Sequence, residues 1–200
     1  MKGSLIIVGF FVLGTICGVC HLLPFDIAET NISYYALCAL MFSVGLSVGN
    51  DPQTLKNFRS LNPRLVFLPI MTILGTLAGS AAVSLILTHR SITDCLAVGS
   101  GFGYYSLSSI FITEYKGAEL GTIALLANIS REILTLLGAP LLVRWFGNLA
   151  PISAGGATTM DTTLPIITRT AGQQFVVVSI FHGFVVDFSV PFLVTLFCSI

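Results

Sequence analysis

Apolar residues run through this chain in long blocks, without the two-residue alternation of a half-buried strand or the single stripe of a soluble helix. Residues 3–23, 32–49, 65–87 and 95–113 contain no Lys, Arg, Asp or Glu. Residues 120–143 and 175–199 are as apolar but carry ionisable side chains inside them. A membrane-spanning helix needs about 20 apolar residues, so each block is a candidate span. A seventh block, 151–171, is apolar on average but interrupted by Pro, Gly and repeated Thr, the pattern of a discontinuous or re-entrant segment. The expectation is an all-α polytopic membrane protein with about six to seven transmembrane segments. Its helices are broken or re-entrant around residues 99–109 and 151–171. Connections are short, so residues 1–200 are expected to form a single transmembrane domain.

Composition sharpens this. Of the 200 residues, 54% are hydrophobic and 9% charged, with a mean hydropathy of +0.94. Soluble domains carry about 25% charged residues, so there is too little charge here to solvate a globular surface. Net charge is zero, which argues against nucleic acid as a partner. The five cysteines lie in or beside apolar blocks. Cys17 and Cys20 read as small buried filler, not a redox pair, and no metal site is expected. Residues 3–23 are too long for a signal-peptide core and read as a retained helix. Asp51-Pro52 reads as a helix N-cap.

The Lys/Arg bias sets orientation. Lys2, Lys56, Arg59 and Arg64 place the N-terminus and the 50–64 loop in the cytoplasm. If all seven blocks cross, Lys116 and Arg169 also lie inside, only Arg90 and Arg144 lie outside, and the C-terminus is external.

Two stretches are suited to breaking helices. Gly99-Ser100-Gly101-Phe102-Gly103 leads into Tyr104-Tyr105-Ser106; each mid-helix Gly costs about 1 kcal/mol relative to Ala. Either these glycines let helices pack closely, or they open a break lined by Gly101, Gly103, Tyr104, Tyr105 and Ser106. Backbone freed in lipid needs protein or water partners. In transporters such half-helix ends hold substrate. No Lys-Ser/Thr pair follows, which excludes a phosphate loop.

Ala154-Gly155-Gly156-Ala157 leads into Thr158, Thr159, Met160, Asp161, Thr162 and Thr163. A carboxylate in a chain built for lipid is costly and marks a functional site by default, the simplest use being to hold a cation or proton. Asp161 could also cap a helix starting at Thr162.

Arg131 and Glu132 are adjacent and cannot neutralise each other. With Asn128 and Thr135 they form one polar stripe, and Arg131 could pair with Asp161 or Asp187. His182 and Asp187 are the ionisable groups of the last block, a possible proton relay and counter-ion. No G-x-S-x-G nucleophile setting occurs, and Val48-Gly49-Asn50-Asp51 departs from the G-x-G-D of intramembrane aspartyl proteases, so an enzyme is not expected.

Gly101-Phe102-Gly103-Tyr104-Tyr105-Ser106-Leu107-Ser108, Thr113-Glu114, Asn128-x-x-Arg131-Glu132, Gly156-Ala157-Thr158-Thr159-Met160-Asp161-x-Thr163-Leu164-Pro165 and His182-Gly183-Phe184 occur in that order. The string resembles the lysine exporter LysO family of bacterial inner-membrane proteins. The resemblance covers essentially the whole chain and is densest from Ser100 to Pro165. It implies export of L-lysine and analogues such as thialysine in exchange for protons, without a cofactor. It implies that the acidic residue needed in the C-terminal half is Asp161, and that the stripe is Asn128, Arg131 and Glu132. Thr158, Thr159 and Thr163 join them as candidate substrate or proton ligands. Many members are longer and carry a second essential acidic residue on additional N-terminal helices. The expectation is therefore a partner, either a small membrane protein or further copies of this chain. A passive cation channel and a subunit that does not transport alone are the competing readings.

Overall fold

The computed structural model describes residues 63–87 and 89–200, together with residues 13, 16, 17, 35 and 42. Packing divides the chain into two compact units, 1–50 and 51–200, and nearly all described residues belong to the second. Of the spans expected at 3–23 and 32–49 only residues 13, 16, 17, 35 and 42 are described; Cys17 is a half-buried free thiol, and Cys20 and the Asp51 cap lie outside the described residues.

The described part of the second unit is helical throughout. A short 3-10 turn, Pro63–Phe67, leads into α1 (Leu68–Ser84). Then follow α2 (Ile92–Gly99), α3 (Tyr105–Lys116) and α4 (Ala118–Phe146). After these come α5 (Ala150–Gly155), a 3-10 segment (Gly156–Met160), α6 (Leu164–Ala171), a 3-10 turn (Gln173–Phe175) and α7 (Val176–Ser199). Among the described residues three segments are long and apolar enough to cross a membrane: Leu65–Ser84, Ala118–Phe146 and Gln173–Ser199. Their outer surfaces expose large apolar side chains such as Met71, Leu134, Leu137 and Phe192, as helices facing lipid must.

The other two pairs of helices are hairpins. The Ser91 hydroxyl accepts from the Asp94 N–H at 3.0 Å and starts α2. The chain breaks at Gly99, turns through residues 100–104 and returns as α3. The two ends meet: Lys116 Nζ lies 3.7 Å from the Asp94 carboxylate, and Arg90 pairs with Glu119. The stretch expected to span at 95–113 is therefore two half-helices that leave and return on one side, and Lys116 lies on the side of Arg90, not opposite it. The reason is electrostatic as well as steric: the stretch carries opposite charges at corresponding levels of its two ends, which pair only if it folds back.

The second hairpin, α5–α6, folds back in the same way. Ile152 at its start and Ile167 and Ala171 at its end share one apolar cluster with Val178, bordered by Leu65, Leu68, Val143, Leu149 and Phe175. Pro151 and Pro165 sit in the first turns of α5 and α6, where a missing N–H costs nothing. The 29 residues of α4 run from the ends of the first hairpin to the ends of the second, about 43 Å at 1.5 Å per residue. The hairpins thus enter from opposite faces, and their tips meet in the middle.

Candidate functional site

The tips are joined through main chain. Phe102 has a positive φ of 45° and Gly103 one of 93°, which turns the Phe102 carbonyl toward the second hairpin. The Ala157 N–H donates to it at 2.9 Å. Gly156 has φ +65°, and a Cβ there would stand 2.2 Å from the Phe102 oxygen. Only glycine permits this approach.

The polar stripe of α4 braces both tips. Asn128 is buried; its Oδ1 accepts from the Gly103 N–H at 2.7 Å, and its Nδ2 donates to the carbonyls of Val98 and Ala124 at 3.2 and 2.9 Å. A Cβ at Gly101 would meet that Nδ2 at 2.4 Å. Arg131 donates from Nε to the Ala154 carbonyl at 2.7 Å and from Nη2 to the Ser153 carbonyl at 3.0 Å. Its Nη1 reaches the Thr76 hydroxyl at 3.3 Å, and its guanidinium lies over the Phe102 ring. The expected pairing of Arg131 with Asp161 or Asp187 is not what forms. Its partners are the exposed carbonyls at the C-terminal end of α5, where a cation also meets the negative end of the helix dipole. Thr135 is buried against this region and donates to the Arg131 carbonyl at 2.9 Å. Glu132 is half-buried and takes no part in this network, with no hydrogen bond or ion pair among the described residues.

The threonines fold the second tip. Thr158 donates to the Gly155 carbonyl at 3.0 Å and contacts the Thr163 hydroxyl at 3.2 Å. Thr159 lies between the carbonyls of Gly156 and Ser179, at 2.8 and 3.0 Å, and 3.2 Å from His182 Nδ1. One hydroxyl proton serves a carbonyl, which leaves Nδ1 as the donor. His182 Nε2 then accepts from Thr72 at 2.9 Å. His182 is fully buried and clamps α1, the second tip and α7 together; it makes no contact with Asp187 that would relay a proton. Gly183 completes the clamp, since a Cβ there would meet the Met160 N at 2.7 Å.

One turn beyond Gly183 on α7 lies Asp187. It is 5% exposed, yet makes no hydrogen bond or ion pair among the described residues. It lies within electrostatic reach of Asp161, and both carboxylates act on Tyr104. Asp161 is exposed, and its Oδ1 accepts from the Thr162 N–H. It does not cap a helix beginning at Thr162, because α6 starts at Leu164 with Thr163 as its N-cap. Tyr104 is the half-buried N-cap residue of α3; Tyr105 and Ser106 are exposed beside it. Two carboxylates and the leading ends of α3 and α6 therefore gather at the junction of the tips. Residues 102–104, 161 and 187 form one locality that sequence spacing alone does not bring together.

The family model for the lysine exporter LysO matches residues 8–198. The chain belongs to the lysine exporter LysO family. A "Lysine exporter LysO" of Escherichia coli K12 is 36% identical over 196 residues, 98% of this chain and 64% of that protein. A "Putative lysine exporter" of Haemophilus influenzae Rd is 34% identical over 196 residues, 98% of this chain and 96% of that protein. The chain thus spans just under two thirds of the E. coli relative and nearly all of the H. influenzae one. No solved structure matches it. Among the described residues of this LysO-family chain, no group of three or more His, Cys, Asp or Glu side chains could hold a metal ion.

Two residues are under-weighted by sequence alone, Asp187 at the junction and Asp94 at the ends of the first hairpin. Asp187 reads as a counter-ion for Arg131 until the structure gives Arg131 other partners. Asp94 lies at the edge of an uncharged block and draws no notice. The signal that could have found it is the charge sequence Arg90, Asp94, Lys116, Glu119, which pairs only in a hairpin.

Proposed function

We propose that the chain exports L-lysine, with close analogues such as thialysine, across the bacterial cytoplasmic membrane in exchange for protons. Asp161 and Asp187 form the site, where they hold either the substrate ammonium or protons, but not both. That exclusion couples the two fluxes. The observation that carries this reading is Asp187. A buried carboxylate in a spanning helix is expensive, and here no arginine, lysine or hydrogen-bond donor among the described residues offsets the cost. Asp161 raises it further. A site that must accept a cation transiently is built this way.

The substrate carboxylate needs donors. The N-terminal ends of α3 and α6 present the positive end of each dipole; the N–H groups of Tyr104, Tyr105, Thr163 and Leu164 already bond to carbonyls, which leaves those of Ser106, Leu107 and Ile166 in the first turns without a backbone acceptor among the described residues. The two C-terminal ends at the tips are already occupied by Asn128 and Arg131. This division supports assigning Asn128 and Arg131 as positioning residues and Thr158, Thr159 and Thr163 as tip-forming ones. Glu132, ionisable and without a described partner on a spanning helix, is a further proton-binding carboxylate beside Asp161 and Asp187.

Orientation follows from counting Lys and Arg on the two faces. With both hairpins re-entrant, Arg64, Arg144 and Arg169 share a face with the 50–64 loop, while Arg90 and Lys116 are on the other. The first face is cytoplasmic, and the C-terminus is external.

The test is lysine-driven proton movement in proteoliposomes holding this chain alone. Asp161→Asn and Asp187→Asn should each abolish it while the protein stays folded and inserted. Proton-coupled efflux retained in both variants would sink the proposal, and uncoupled, non-saturating flux would favour the passive channel. If the chain alone is silent but a co-expressed small membrane protein restores exchange, it works as part of a pair.

A further inference from the structure

A cavity of about 520 Å³ lies between α1, α2 and α4, away from Asp161 and Asp187. Its inner end is formed by Thr76, Asn128 and Arg131, behind the first tip. Its outer end carries Arg90 and Asp94, with Cys95 beside them. Both Leu120 and Arg131 line it, so it runs about 16 Å along α4. The walls between are apolar or small: Val83, Ile123, Ala127 and Gly79. Nothing in the junction of the tips uses this space.

Two ion pairs lie at the outer end, Arg90 with Glu119 and Asp94 with Lys116. The second is loose. Its separation is 3.7 Å, and its side chains are 26% and 20% exposed for Lys116 and Asp94. The group that occupies Asp94 is itself a lysine ammonium on a four-carbon stem. A free lysine presents the same ammonium to Asp94 and adds a carboxylate for Arg90, so it matches both charges that the cavity shows and competes with both groups that cover them. The apolar walls suit its methylene chain.

We propose that this cavity is a vestibule that binds a free cationic amino acid at Arg90 and Asp94, with Lys116 as an intramolecular competitor that displaces it. The inference rests on the export reading for the identity of the ligand and adds a site outside the junction. In the orientation proposed above, the mouth opens to the external face, and the competition by Lys116 favours release.

Cys95 provides the probe. In the full chain with Cys17, Cys20, Cys38 and Cys198 replaced by Ser, a membrane-impermeant, positively charged methanethiosulfonate should modify Cys95 from the external side. Lysine should slow that modification, and norleucine, which lacks the side-chain ammonium, should not. Asp94→Asn should abolish the protection. Lys116→Gln should shift it to about two- to fivefold lower lysine, the factor expected for removing a partly exposed competing ion pair. The proposal is overturned if the reagent cannot reach Cys95, as in a lipid-filled groove, or if norleucine protects equally. It is also overturned if Asp94→Asn and Lys116→Gln shift protection in the same direction, which a purely structural ion pair would require. Protection that survives while proteoliposomes export no lysine supports the vestibule and counts against the export reading alone.

Discussion

The Ala157 N–H donates to the Phe102 carbonyl across 2.9 Å, so the two re-entrant hairpins are joined tip to tip by main chain. The contact fixes the depth at which each hairpin stops. It also sets Tyr104, on the first tip, near Asp161, just past the second. A side-chain contact could be exchanged during evolution or motion more freely than one that depends on the backbone path of Phe102, Gly103 and Gly156.

Gly156→Ala tests that junction. The backbone at φ +65° and ψ −127° alone costs about 1–3 kcal/mol for a residue with a Cβ, and the new methyl would collide with the Phe102 carbonyl. The expected outcome is a lower unfolding temperature in detergent together with loss of export. Gly138→Ala, where nothing lies within 4 Å of the added Cβ, should be neutral in both measurements.

Asn128→Ala should destabilise the first tip by about 1–3 kcal/mol, because it leaves the buried Gly103 N–H without an acceptor. Asn128→Asp keeps that acceptor but loses both donors to Val98 and Ala124, so it should not rescue. Thermal unfolding of the purified variants reads the difference.

Asp187→Asn separates a binding carboxylate from a structural one. Removing one member of a buried ion pair costs about 3–5 kcal/mol. Since Asp187 has no such partner among the described residues, the variant should unfold no earlier than the parent and fail only in exchange. A fall in unfolding temperature comparable to that of Arg131→Ala would assign Asp187 to the scaffold.

Glu132→Gln should behave like Asp187→Asn, with stability kept and proton-coupled lysine efflux reduced. Arg131→Lys should do the opposite. A lysine cannot reproduce the fork that reaches Ser153, Ala154 and Thr76, so stability and export should fall together.

Topology can be read directly by impermeant thiol labelling in a background without native cysteines. His89→Cys and Ala118→Cys flank the first hairpin and should label from one side. Asn148→Cys and Gln173→Cys flank the second and should label from the other. Labelling of residues 89 and 118 from opposite sides would restore a crossing segment in place of the hairpin.

Several features were legible in the residues themselves. Gly99-Ser100-Gly101-Phe102-Gly103 and Ala154-Gly155-Gly156-Ala157 were legible as places for a helix break, since clustered Gly weakens a helix, but close packing was also an allowed reading of the first. The polar stripe of Asn128, Arg131, Glu132 and Thr135 was legible from its spacing, but only Asn128, Arg131 and Thr135 join the network at the tips. Its partners were not legible. The choice between a carboxylate and a row of backbone carbonyls for Arg131 depends on where the end of α5 arrives, 22 and 23 residues away.

Hydropathy determined the environment of this protein: blocks of about 20 apolar residues have no stable place except lipid, and that much follows from transfer free energy summed along the chain. Whether a broken block crosses or turns back is a different kind of fact. It depends on which ends pair, as Asp94 does with Lys116 and Ile152 with Ala171, and such pairings are free energies of contact between distant segments. The same holds for the approach of Asp161 to Asp187: the two come within electrostatic reach only because the second tip packs against Gly183 of α7.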